Sequence, residues 1–166
     1  MRTLLTLLLV SIGVGISGCL SDIFGEKDAK SELYLVPSPG AGWAAVDPAE
    51  ADVAYRNSVD HAILSISSLC GEDRFRPLEE LTESLLEQLP QRRNPMAAIP
   101  VSVDGHVGLV SEVQGVIDGK AITVRVAVLR TPRCVYDVLL AGASLDASSR
   151  LAFDLALKGF RENEHR

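Results

Sequence analysis

The sequence predicts an α/β protein of the α+β kind, one mainly antiparallel sheet with a mid-chain helix and a C-terminal helix. Three observations predict it. Between residues 53 and 140 apolar residues recur at every second position in several runs, the period of a strand with one buried face. Two Asp-Gly pairs, Asp104-Gly105 and Asp118-Gly119, separate β-branched runs and read as two-residue hairpin turns. Twice, at residues 76–89 and 146–161, the apolar spacing changes to that of a helix.

The chain of 166 residues opens with one positive charge, Arg2, and a nearly unbroken apolar stretch from Leu4 to Ile16. This has the composition of a signal peptide, and it is shorter than the about 20 apolar residues of a spanning helix. It ends in Ile16-Ser17-Gly18-Cys19, an aliphatic residue, two small residues and a cysteine. The four residues resemble the lipobox of bacterial lipoproteins. That resemblance implies cleavage after residue 18, a diacylglycerol on Cys19, and three acyl chains of the palmitate kind on the mature protein. Each buried CH₂ contributes about 0.8 kcal/mol, so three chains hold a protein at a membrane permanently. An ordinary secretory signal with a chance cysteine is the alternative, and it too exports the chain. Leu20 stands where an Asp would favour inner-membrane retention, which favours the outer membrane in a Gram-negative host.

Residues 1–18 therefore read as signal peptide, 19–31 as lipidated cysteine and polar tether, 32–162 as one domain and 163–166 as a charged tail. Removing 18 residues from 166 leaves 148, one domain's worth. Loss of Arg2 takes the formal net charge from −6 to −7, and no cluster of five or more basic residues occurs. Nucleic acid and anionic headgroups are poor candidate partners on that basis.

Within the domain, residues 32–36 form a short apolar piece that Pro37-Ser38-Pro39-Gly40 breaks. Residues 43–46 end at the Asp47-Pro48 turn, and residues 53–57 begin a strand-like stretch. Ala62, Leu64 and Ile66 alternate with Ile63, Ser65 and Ser67 up to Cys70, whose parity puts it on or beside the core face. Leu78, Leu81, Leu85 and Leu89 make a helical stripe, with Glu79, Glu80, Glu83 and Glu87 mostly outside it. Pro77 suits the first turn and Pro90 ends the helix. Residues 91–95 read as a solvated loop. Strands at 101–103, 107–117 and 122–128 form a meander, Thr131-Pro132-Arg133 turns, and residues 134–140 form a strand apolar enough to be central. In the last helix Leu151, Phe153, Leu155, Leu157 and Phe160 are read as one face, with Asp146 or Ser148 as the cap.

If Cys19 is acylated, Cys70 and Cys134 remain as an even pair in an oxidising compartment, which predicts a disulfide; two buried free thiols are the alternative. Closing a loop of about 64 residues stabilises a fold by about 4 kcal/mol in the chain-entropy model. No CxxC occurs, and His61, His106 and His165 are isolated, so no metal or other cofactor is expected.

The order of elements, with Trp43, Tyr55-Arg56-Asn57, the strand ending at Cys70, the Leu78 helix, residues 115–127, Cys134-Val135-Tyr136-Asp137 and residues 152–161, resembles the PsbP/Mog1-like α/β/α sandwich over about residues 33–161. Members of that fold act as non-catalytic binding or assembly modules, at photosystem II in one branch and on a small GTPase in another. The resemblance implies a non-enzymatic module here. Asp60-His61 could form an acid/base pair, but neighbours on a strand point to opposite faces. His106 reads as a solvated hairpin residue, Ser67-Ser68 as strand edge, Ser148-Ser149 as helix cap, Trp43 as core, and the acidic helix face as solvated. No nucleophile elbow, HExxH, P-loop or dinucleotide fingerprint occurs. The expectation is a membrane-tethered lipoprotein that binds or assembles a membrane-proximal envelope complex through an unidentified protein. An apolar-ligand carrier with a pocket at Leu85, Leu89 and Val126 is the first alternative, and a small hydrolase using His61 or His106 the second.

Overall fold

The computed structural model describes residues 32–48 and 50–163; the signal peptide, Cys19, the tether and His165 lie outside the described residues. The strands are β1 (Tyr34–Leu35), β2 (Trp43–Val46), β3 (Val53–Asn57), β4 (Ile63–Cys70), β5 (Ile99–Val103), β6 (His106–Ile117), β7 (Lys120–Arg130), β8 (Cys134–Gly142) and β9 (Arg161–Glu162). Two helices accompany them, α1 (Leu78–Glu87) and α2 (Ala147–Gly159), and a 3₁₀ turn spans Glu72–Phe75. Seven strands pair antiparallel in the order β2-β3-β4-β8-β7-β6-β5, and β1 pairs with β9 in a separate ladder.

Strand β8 is the fourth of the seven, and its sequence explains the place. Cys134, Tyr136, Val138 and Leu140 point to one face of the sheet and Val135, Leu139 and Ala141 to the other, so the strand has apolar neighbours on both. Both Asp-Gly turns form as expected. Asp104 and Gly105 have φ of 51° and 79°, Asp118 and Gly119 of 51° and 75°, the left-handed pairs that a type I′ turn requires.

Helix α2 and the β1–β9 ladder cover one face. Tyr34, Tyr136 and Phe160 meet there with ring centroids 4.9–5.9 Å apart. Tyr136 donates its hydroxyl to Glu162 at 2.9 Å, and Thr131 donates to the same carboxylate oxygen at 2.7 Å. The helix is fastened by Arg150, which donates through both terminal nitrogens to Glu112 on β6, and by an Arg125–Asp154 pair at 3.1 Å. Asp146 is its cap, accepting from the Ser149 N–H at 2.7 Å. Helix α1 lies on the opposite face against β6 and β7, burying Leu78, Leu81 and Leu86, with Leu89 following.

Five expectations need correction. Leu151 and Leu155 are 57% and 46% exposed, since on a helix they lie nearly opposite Phe153; the buried stripe is Ser149, Ala152, Phe153, Ala156 and Leu157. Cys70 keeps the predicted parity but is exposed, because β4 has run past the core by then; Cys134 is buried. Residues 91–95 are solvent-exposed yet continue the sheet edge beyond β5, Arg93 and Gln114 exchanging backbone hydrogen bonds at 2.7 and 3.1 Å. The charged C-terminal end contributes β9 and, through Asn163, holds Leu33. Trp43 is half-buried on edge strand β2 against the α2-side core, less enclosed than expected. Cys70 and Cys134 are register partners with Cα atoms 4.3 Å apart, the spacing of a non-hydrogen-bonded antiparallel pair, and are joined by a disulfide.

The described residues, within 32–163, form two hydrophobic clusters, one on each face of the sheet, and so build a core of their own. A Cβ at Gly115 would lie 2.4 Å from Leu89 Cγ, too close for either to stay in place. Gly115→Ala is expected to lower stability by about 1–3 kcal/mol in urea unfolding, and Leu89→Ala in the same chain to cost less than the sum of the two alone. The non-reduced mature chain should weigh two hydrogens less than its reduced form by mass spectrometry. Alkylation of both cysteines without reductant would show that they are free thiols and overturn the disulfide.

Candidate functional site

Helix α1 covers only part of its face of the sheet. Beyond it, over β3, β4 and β8, lies a groove of about 580 Å³. Strand alternation places Ser65 and Ser67 of β4 and Asp137 of β8 on its floor, and Ser67 and Asp137 are direct cross-strand partners. Leu85 and Gln88 at the end of α1 form one wall; Val46, Asp47, Pro48 and Glu50, after β2, form the other. A smaller recess of about 140 Å³ continues toward the start of β8 and shares Leu69, Leu85, Gln88 and Asp137 with the groove. In that recess Arg76 is held by Glu80 at 2.8 Å and by Ser84 at 3.1 Å.

Among the described residues the groove lining contains three carboxylates, Asp47, Glu50 and Asp137, and no cation. Asp137 has no hydrogen-bond or ion-pair partner among the described residues, and burial pushes its carboxyl up from 3.8 to about 7. Withdrawal from water disfavours the charged form, so near neutrality the group is shared between a neutral acid, which donates and accepts, and a carboxylate awaiting a donor. A half-buried acid with no partner inside a strand has no structural task here. It is the feature that singles out the groove.

Of the histidines and serines weighed from sequence, Ser67 and Ser68 line the groove and the others fall elsewhere. His61 is exposed at φ 59°, and Asp60 turns away from it, accepting from the Ala62 N–H at 3.0 Å and the Ser149 hydroxyl at 2.6 Å. Asn57 donates to Ser149 at 3.2 Å, so Asn57, Asp60 and Ser149 clamp the β3–β4 turn to the start of α2. Ser148 is exposed and donates to Asp146. Ser68 is part of the groove lining although strand alternation sets it on the face opposite Ser67 and Asp137, with its register partner Tyr136. Of the acidic α1 face, Glu80 and Glu83 pair with Arg76 and Arg92. Among the described residues no three His, Cys, Asp or Glu side chains gather as a metal site. Of the expected pocket residues, Leu85 lines the groove, but Leu89 and Val126 are buried between α1 and the sheet, where side chains fill the space. Asp137 was legible only as the single charge within the apolar run of residues 134–140.

No family model matches the chain, and no curated protein matches it in sequence. Solved structures do resemble it. The solution structure of the cyanobacterial PsbP protein CyanoP from Synechocystis sp. PCC 6803 has a TM-score of 0.57 at 16% identity, over 80% of this chain and 88% of its own. LpqN, involved in cell envelope biogenesis of Mycobacterium tuberculosis, gives 0.55 at 14%, over 76% and 81%. A Pseudomonas aeruginosa protein of unknown function gives 0.52 at 14%, over 75% and 100%. The fold is therefore the PsbP-like α+β sandwich. At these identities the likeness concerns architecture alone.

Below its ordinary value Asp137 is protonated in both folded and unfolded chains. Between that value and about 7 the folded protein holds a proton the unfolded chain has released, so this group's contribution to stability is lost as pH rises through about 7. Glu112, lowered chiefly by its hydrogen bond from Arg150, acts the other way, its stabilisation being lost as pH falls. Asp137→Asn should thus leave the melting temperature near pH 3 little changed, raise it increasingly as pH passes from about 4 to about 7, and raise it most near pH 8. An identical pH dependence in both proteins would show that the carboxyl is hydrated.

Proposed function

We propose that this chain is a non-enzymatic lipoprotein, tethered through Cys19, that binds a membrane-proximal envelope protein in the groove beside α1. The observation that carries the reading is the groove itself, an uncovered half-face of the sheet with an apolar wall, serine hydroxyls and three carboxylates without a cation. Its charge fits a segment that carries Lys or Arg next to apolar residues. A basic side chain over Asp137 would hold that group ionised and repay its desolvation. The lipobox-like residues 16–19 support the tether, and the fold is one that CyanoP and LpqN also have. Among the described residues no helix is long and apolar enough to cross a membrane.

A second reading is an apolar-ligand carrier. The volume favours it, since about 580 Å³ lies within the 300–1,000 Å³ of small-molecule sites. Lipid in an organic extract of the purified protein would move the assignment there.

The test is site-specific photocrosslinking in cells. A photoreactive residue at Leu69, on the groove rim, should capture one dominant neighbour, while one at Leu151, on the outer face of α2, should not. Cys19→Ser should abolish the capture, and Asp137→Leu should reduce it about tenfold or more, the loss of one charge-assisted contact. Equal capture from both positions, or capture indifferent to Asp137, would overturn the groove as the docking site.

A further inference from the structure

A second cavity, of about 380 Å³, lies at the end of the sheet where β4 finishes and β8 begins. Three segments far apart in sequence build it: the 3₁₀ turn with Arg74 and Phe75, the start of β6 with His106 and Val107, and the β7–β8 turn with Arg130 and Pro132. Among the described residues its lining holds two guanidinium groups and no carboxylate. Both are aimed by backbone carbonyls rather than by acids. Arg74 donates to the Gly71 carbonyl at 2.6 Å and stacks over the Phe75 ring at 4.3 Å, and Arg130 donates to the carbonyl of Arg76. The Nε–H of each is buried without a partner. Neither arginine forms an ion pair among the described residues, although the chain as a whole is acidic at −6. Two fixed, uncompensated guanidinium groups in one concave site are an arrangement suited to a phosphate.

The surroundings indicate where that phosphate sits. Phe75 and Val107, both in the cavity wall, are 71% and 61% exposed. The chain also enters the domain at this end. Asn163 donates to the Glu32 carbonyl and accepts from Arg133 at 2.7 Å, beside Pro132 of the cavity. Glu32 is 13 residues from Cys19, a reach of about 45 Å at most. We infer that the Arg74–Arg130 cavity binds the phosphate of an anionic phospholipid headgroup, with Phe75 and Val107 entering the boundary between headgroups and acyl chains. The orientation this gives a tethered domain rests on the proposed anchor; the binding itself does not.

Vesicle flotation tests it with residues 20–166, which contain the whole self-contained domain and no acyl group. Vesicles containing phosphatidylglycerol should bind the protein and vesicles of phosphatidylcholine alone should not. Arg74→Gln and Arg130→Gln should each weaken binding about fivefold, the effect of one basic residue near a charged surface. Arg56→Gln, which removes a charge from the exposed side of β3, should leave binding unchanged. Arg74→Gln removes only contacts local to the 3₁₀ turn, the hydrogen bond to Gly71 and the stacking on Phe75, so it keeps the test open should Arg130→Gln not fold. Three results overturn the inference: equal binding to both vesicles or to neither, equal loss in the Arg56 variant, or saturable binding of inorganic phosphate by the cavity with no preference for anionic vesicles. Because neither anchor nor groove takes part, such a failure leaves the groove reading standing, and failure of the crosslinking test leaves this one.

Discussion

One helix cannot cover one face of a seven-stranded sheet. Seven strands at about 4.8 Å spacing are about 29 Å across between the outer two, whereas a packed helix is about 10 Å wide. On one side the chain meets this constraint with two elements, α2 and the β1–β9 ladder, and the core there is continuous from Tyr34 to Phe160. On the other it has only α1, ten residues long, seated over β6 and β7. The remaining half-face is handled by sequence instead. Ser65 and Ser67 replace the apolar residues that a covering helix would need, Ala54 is small, and the segment after β2 folds toward it. The groove is the space that no second helix among the described residues covers.

The division also separates stability from binding. The bidentate Arg150–Glu112 pair, the Arg125–Asp154 pair, the Asn57–Asp60–Ser149 clamp and the hydroxyl of Tyr136 on Glu162 all belong to the α2 side. Burial raises the Tyr34 and Tyr136 phenols well above their ordinary range, so both stay neutral and act as hydrogen-bond donors. Asp137 points to the α1 side of the same central strand, where nothing satisfies it. A partner can approach that side without disturbing the contacts that hold α2.

Periodicity revealed the sheet and helices because burial on one face imposes a repeat of two or 3.6, and Asp-Gly pairs mark the hairpins because few other residues tolerate consecutive positive φ. It misassigned Leu151 and Leu155 since both are apolar, although helical spacing sets them nearly opposite Phe153 and leaves them exposed. The groove was harder to see. Ser65 and Ser67 read as a polar strand face, which they are; that this face meets Asp137 depends on β4 pairing with β8, a neighbour 64 residues later. The arginine cavity left no sequence signal. Arg74 and Arg130 stand in different segments, and a search for basic clusters along the chain passes over charges that only the fold gathers.

The disulfide connects these features. Cys70 ends the strand that floors the groove, and the next residue, Gly71, supplies the carbonyl that holds Arg74. Cys134 opens the central strand just after the turn that carries Arg130 and Pro132, and its backbone N–H and carbonyl are both tied to Thr131. A single cross-strand bond therefore fixes the 3₁₀ turn against the β7–β8 turn. These are two of the three segments around the arginine cavity, and neither is held there by an extensive core. The exposure of Cys70, a departure from its predicted core position, follows from this role: the bond runs outward from buried Cys134, at the margin of the core, to Cys70, where the loops that carry charge begin. In the chain-entropy view such a link restricts the unfolded ensemble. In the folded protein it also keeps two guanidinium groups, which repel one another, at the mouth of one cavity.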